Sequence, residues 1–135
     1  MDTESRLVLV SGARIDNRLE LFDLLDVAHS ERGHTPDGAL ILKDYQKWGP
    51  DCCDRLLGDW GFALLDPRRR TLCLARDHHG NTSLYYHQNR HFVAFASSIK
   101  SLLNVSEVPR RPDELHLAIP GGVAGVRLTD ILRRR

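Results

Sequence analysis

Gly58-Asp59-Trp60-Gly61-Phe62-Ala63-Leu64-Leu65-Asp66, then Pro67-Arg68-Arg69-Arg70, then Thr71-Leu72-Cys73-Leu74-Ala75, is the stretch on which the fold is decided. Trp60 to Asp66 and Thr71 to Ala75 are rich in apolar strand formers, and the Asp-Pro-Arg-Arg-Arg join between them is short enough only for a hairpin. A connection that short makes the two strands antiparallel. Leu84-Tyr85-Tyr86 and Phe92 to Ala96 repeat the pattern around His87 to Arg90, which predicts a second hairpin.

Upstream, Leu7 to Val10 reads as a short buried strand that ends in the turn-like pair Ser11-Gly12. Asp16 or Asn17 is placed to cap a helix expected to run to about Ala28, with Leu21, Leu24, Leu25 and Ala28 on one stripe. Thr35-Pro36-Asp37 is a helix start: threonine caps, proline suits the first turn, and aspartate meets the positive end of the dipole. Leu40, Ile41, Tyr45 and Trp48 give that helix an apolar face, and Gly49 stops it. Pro50-Asp51 begins a further short helix reaching Leu57. Downstream, Ser97 or Ser98 begins a helix through Leu103. Beyond Pro109 the periodicity fades, and Gly121, Gly122 and Gly125 lie in a stretch with no assignable element. Strand, helices, strand meander and helix in that order predict an α+β domain with an antiparallel sheet over 1–108, followed by a divergent tail over 109–135.

Composition narrows the function. The 135 residues suit one compact domain, and 41% hydrophobic with 27% charged residues describe a soluble globular chain. Nineteen basic residues against 18 acidic ones give a net charge of +1, which argues against a general nucleic-acid binder. Arg133-Arg134-Arg135 reads as a solvated basic tip. No stretch approaches the ~20 apolar residues that span a bilayer, so no membrane association is expected. The opening Met1-Asp2-Thr3-Glu4-Ser5-Arg6 is polar and unlike a signal peptide. Three cysteines, two of them adjacent (Cys52, Cys53 and Cys73), do not make a disulfide framework, and a reducing cytoplasm is expected.

Three motifs together carry a resemblance. Gly58 to Asp66 is similar to a glycine-led strand of the glutamine-hydrolysing domain of class II amidotransferases, as in asparagine synthetase. Leu74-Ala75-Arg76-Asp77-His78-His79-Gly80 with Leu84-Tyr85-Tyr86 resembles that family's arginine-aspartate turn and leucine-tyrosine-tyrosine strand. Phe95-Ala96-Ser97-Ser98-Ile99-Lys100-Ser101-Leu102-Leu103 resembles its phenylalanine-alanine-serine helix start. Order and spacing agree over about Leu7 to Leu103. The resemblance implies an N-terminal-nucleophile hydrolase sandwich of the αββα type, incomplete at its N-terminus. In that family an N-terminal cysteine hydrolyses glutamine, its own α-amine serving beside the thiolate. The ammonia passes to an ATP-dependent synthetase domain or subunit.

By the same resemblance, Val10 to Asn17 corresponds to a strand end that forms an oxyanion hole. Ser11 stands where the family has asparagine, and Gly12 keeps the family's glycine. Asp37 corresponds to the carboxylate that receives the substrate ammonium. Ser11, Gly12 and Asp37 are therefore the expected residual glutamine site, with Asp37 facing a shallow pocket near Gly12. No cysteine precedes Cys52, and the motifs of the synthetase half are not found. The expected function is a degenerate or truncated amidotransferase domain of an asparagine-forming or other amide-forming system, a structural or partner-docking module without catalysis. The alternative is a glutaminase subunit that supplies ammonia for asparagine or another amide with help from a partner chain. Glutamine is expected to bind weakly if at all, and no cofactor is expected.

Other candidate residues have plainer readings. Cys52, Cys53 and Cys73 fit core packing. Asp77-His78-His79 matches a manganese phosphoesterase motif but lacks its companion aspartates, so Asp77 is expected to brace a turn. His87 and His91 flank a hairpin loop, where their spacing is not a ligand spacing. Finally, the absence of the family's opening strands predicts an unpaired sheet edge with Leu7, Leu9, Phe62 and Leu64 partly uncovered, and hence a homo-oligomer.

Overall fold

The computed structural model describes residues 6–110 and the backbone of Val126–Arg127. Four strands, β1 (Val8–Ile15), β2 (Gly58–Asp66), β3 (Thr71–Arg76) and β6 (Val126–Arg127), form one antiparallel sheet in the order β1-β2-β3-β6. Strands β4 (Tyr85–Gln88) and β5 (Val93–Ala96) form a separate hairpin. The architecture is mixed α/β with antiparallel sheets, as the strand periods and short connections predict. Gly121, Gly122, Gly125 and the terminal arginines lie outside the described residues.

Alternation along β2 assigns the two faces of the sheet. Trp60, Phe62 and Leu64 point one way and are buried together with Leu7, Ile15 and Ala75. Helix α3 (Asp37–Trp48) covers this face with Ile41 and Tyr45, and the 3-10 segment Gly49–Arg55 adds Cys52. Removing a side chain such as Phe62 from this layer is expected to cost about 3–5 kcal/mol. Ala63 and Leu74 point the other way, where Leu84, Tyr86 and Val93 of the second hairpin pack on them.

Several boundaries differ from the sequence expectation. Strand β1 does not end at Ser11-Gly12 but continues to Ile15, because those two residues pair with Phe62 and Gly61 of β2. The first helix, α1 (Arg18–Leu24), stops short of Ala28. Asp26 turns the chain with φ 53°, and a four-residue helix α2 (His29–Arg32) follows. Asn17 does not cap α1 with its side chain. Its amide instead donates to the Arg55 carbonyl at 2.8 Å, while its side-chain oxygen accepts from the Leu57 N–H at 3.0 Å. Helix α3 stops as expected, with Gly49 at φ 65° ending it, but its N-cap is Pro36 and not Thr35, whose hydroxyl donates to the Glu31 carbonyl at 2.8 Å. Helix α4 (Ile99–Leu102) carries Ser98 as its cap, which accepts from the Ser101 N–H at 3.1 Å.

Of the apolar residues expected to be partly uncovered, Leu7, Phe62 and Leu64 are buried under α3, while Leu9 is half-buried against the same core. The opposite face is the open one: Val8, Val10 and Leu65 are 38%, 62% and 38% exposed. The second hairpin covers Ala63 and Leu74 but leaves the β1 side of that face bare. Among the described residues, β1 pairs only with β2, so its outer edge is open. No helix among them is long and apolar enough to cross a membrane.

Candidate functional site

Two of the three expected site residues, Ser11 and Asp37, lie where the end of β1 meets the start of α3. Ser11 points to the α3 side: a Cβ on Gly38 would stand 3.1 Å from the Ser11 hydroxyl and 3.6 Å from Leu9. Asp37, the first residue of α3, reaches the end of the same strand. Its Oδ2 accepts the Ile15 N–H at 3.1 Å. Strand and helix start therefore converge. The 12-residue helix also directs its positive end at the Asp37 carboxylate.

The other carboxylate oxygen is occupied. Arg18 donates from Nη1 to Asp37 Oδ1, and its Nη2 donates to the Thr35 carbonyl at 2.6 Å. The guanidinium also lies over the Phe22 ring, 5.2 Å from its centroid, and Arg32 lies 5.4 Å from the same centroid. Both members of the pair are largely withdrawn from solvent, with side chains 33% and 20% exposed. Reading the motifs did not bring out Arg18. One signal was present: a cation in the first position of a helix opposes the dipole, so it needs an acidic partner elsewhere.

Gly12 faces the opposite side of the sheet, beside its cross-strand partner Gly61. A Cβ on Gly61 would stand 2.9 Å from Thr82 Cγ2, and one on Gly12 4.0 Å from the same atom. The two glycines thus admit the 77–82 turn onto the sheet. Asp77 holds that turn: its Oδ1 accepts the Asn81 N–H and its Oδ2 the Thr82 N–H, each at 3.0 Å. Burial pushes the Asp77 carboxyl up, but the donated N–H groups together outweigh it and hold the group below its ordinary value. Asn81 further donates to Asp59 at 2.8 Å, and Asp59 accepts from Arg14 at 2.9 Å. His78 and His79 are exposed, and no group of metal-ligating side chains is assembled among the described residues. His87 stacks at a tilt on Phe92, 5.7 Å between centroids.

None of the three cysteines forms a disulfide among the described residues. Cys52 is fully buried, and Cys53 and Cys73 pack against the same core. The hydrogen bond to Cys53, reinforced by burial, pushes the Cys52 thiol far up, so it stays protonated. The same hydrogen bond lowers Cys53. A cavity of about 160 Å³, lined by Leu7, Tyr45, Gln46, Asp66, Arg68 and Arg69, opens at the other end of β1 from Ile15.

Comparison with known proteins agrees with the motifs. A family model described as the glutamine amidotransferase domain matches residues 1–104. The chain is similar to "Putative asparagine synthetase (glutamine-hydrolyzing) 2" of Methanocaldococcus jannaschii, 30% identical over 105 residues, which are 78% of this chain and 20% of that protein. It is similar to "Putative asparagine synthetase (glutamine-hydrolyzing)" of Mycobacterium tuberculosis strain H37Rv, 38% identical over 108 residues, 79% of this chain and 17% of that protein. Asparagine synthetase (glutamine-hydrolyzing) 3 of Bacillus subtilis is 34% identical over 91 residues, 64% of this chain and 15% of that protein. The chain thus spans a fifth or less of the length of these relatives.

Proposed function

This chain belongs to the glutamine amidotransferase domain family, and we propose that by itself it is a non-catalytic structural or partner-docking module of an asparagine-synthetase-like, amide-forming system. The observation that carries this reading is the state of its thiols. Glutamine hydrolysis in this family needs a free thiolate beside a base. Here the Cys52 thiol is buried and held protonated, and Cys53 and Cys73 are packed on the same core. The corner formed by Ser11 and Asp37 is then read as a residual glutamine site, with Gly12 turned to the other side of the sheet and glutamine bound weakly if at all.

The sheet with α3 on one face and a strand hairpin on the other supports part of an N-terminal-nucleophile sandwich. The proposed partner is an ATP-dependent synthetase domain or subunit, since the relatives named as asparagine synthetases are five or more times longer than the matched segment. Cysteines outside any disulfide among the described residues suit a reducing cytoplasm.

The test is glutamate release from glutamine by the purified chain, alone and with Cys52, Cys53 or Cys73 replaced by alanine. No release above buffer is expected. Robust turnover lost in one variant overturns the proposal, and Cys53 is the first to examine because its thiol is the one lowered. Such turnover would favour the second reading, a glutaminase component.

A further inference from the structure

We infer that Arg18 is a built-in occupant of the Asp37 corner, whose guanidinium stands in for a ligand's ammonium group and keeps amino acids out. The inference rests on reading this corner as a residual amino-acid site, and it names the device that closes it. An aspartate at a helix start, one oxygen fixed by the Ile15 N–H, would leave its second oxygen to receive an ammonium. That oxygen is taken by Arg18 Nη1.

The guanidinium is held by more than one contact. Its second nitrogen donates to the Thr35 carbonyl at 2.6 Å, and its central carbon lies over the Phe22 ring. An incoming ammonium would have to break a charge-assisted pair, strand the Thr35 carbonyl, and approach a fixed positive charge. Arg18 is the first residue of α1, seven residues long and packed against α3, so the side chain is delivered to the corner by the fold. The partner pair is 19 residues apart in sequence, which excludes a merely local helix pairing.

The experiment follows the backbone amide of Ile15 by NMR, because its N–H donates to Asp37 and reports on that carboxylate. Wild type and Arg18→Ala are each titrated with L-glutamine and, separately, with methylammonium. Arg18→Met, which keeps the aliphatic stem over Phe22, replaces the alanine variant if that one does not fold. In wild type neither probe is expected to move Ile15 saturably. In the variant both should, saturating at concentrations about tenfold or more below the highest that leave the wild type unmoved, and adding Asp37→Asn should abolish the effect. A variant that takes methylammonium but not glutamine keeps Arg18 as the occupant of Asp37 but overturns its exclusion of amino acids, and with it the reading of the corner as an amino-acid site. A variant that takes neither, or a wild type that binds glutamine as tightly as the variant, overturns the Arg18 inference itself.

Discussion

Gly61 lies directly beneath Thr82, so close that a Cβ on the glycine would stand 2.9 Å from the threonine Cγ2 and 3.4 Å from its Cβ. Thr82 cannot simply retreat, because its N–H is bonded to Asp77. Gly61→Ala is therefore expected to destabilise the domain by about 1–3 kcal/mol through overpacking. Thr82→Ser removes the offending methyl, and the double variant should recover most of the loss. Urea unfolding of the four proteins in a double-mutant cycle measures this coupling; strict additivity would show that the turn does not rest on Gly61.

Asp77 should behave as the peg of the same turn. Replacing it with asparagine keeps one acceptor but turns an NH₂ toward a backbone N–H, at a cost of about 1–3 kcal/mol. Because its folded-state pKa lies below the ordinary value, its contribution is present above that ordinary value and is lost as pH falls through the folded one. Hydrogen exchange is the direct check: the amides of Asn81 and Thr82 should lose protection in Asp77→Asn, while those of β2 remain slow. Unchanged protection at both positions would remove Asp77 from this role.

Asp44 gives a pH dependence of the opposite sense. It is fully buried on the face of α3 that carries Leu40, Ile41 and Tyr45, and neither carboxylate oxygen has a hydrogen-bond partner among the described residues. Burial, only partly offset by the attraction of Arg55, raises its pKa from 3.8 to about 6. The folded state thus binds the proton more tightly than the unfolded chain does. Its contribution to stability is full below the unfolded value, declines as pH rises between those two values, and is constant above. The gap between those two values corresponds to a loss of up to about 3 kcal/mol. Asp44→Asn cannot ionise, so the difference in unfolding free energy between variant and wild type should rise over that interval and then level off. A difference flat with pH would mean that Asp44 ionises in the folded chain as it does in the unfolded one.

These features were unevenly legible in the sequence. The two hairpins follow from short polar joins between apolar runs, and α3 from its flanking Pro36 and Gly49, because those signals are local. Ser11-Gly12 misleads for the same reason: the pair reads as a turn, yet cross-strand bonding to Gly61 and Phe62 keeps it extended. Asn17 likewise has the chemistry of a helix cap but spends it on Arg55 and Leu57, about 40 residues away. Asp37 could be singled out as the acid at a helix start, whereas its bond to Arg18 depends on how α1 packs beside α3. Asp44 was not singled out in the sequence, because only the fold shows that it is buried with no hydrogen-bond partner among the described residues.

The last prediction concerns the open side of the sheet. Val8 and Val10 on β1 and Leu65 on β2 point to the same face, since Val8 pairs with Leu65 and Val10 with the inward neighbour Ala63. The β4–β5 hairpin packs on Ala63 and Leu74, further across the sheet. This leaves the three aliphatic side chains exposed beside a strand whose outer N–H and C=O groups have no paired strand among the described residues. An apolar strip along an open edge recruits another strand, and a symmetric pair of chains is the simplest closed arrangement. The purified chain is therefore expected to self-associate, or to be held monomeric only by a partner covering this side. Val10→Lys places a charge at the most exposed of the three positions, away from the α3 core, and should shift the population toward monomer with little change in unfolding free energy. Light scattering over a concentration series is the measurement. A monomer at every accessible concentration in the unmodified chain, matching that of Val10→Lys, would show that this face and edge do not drive association.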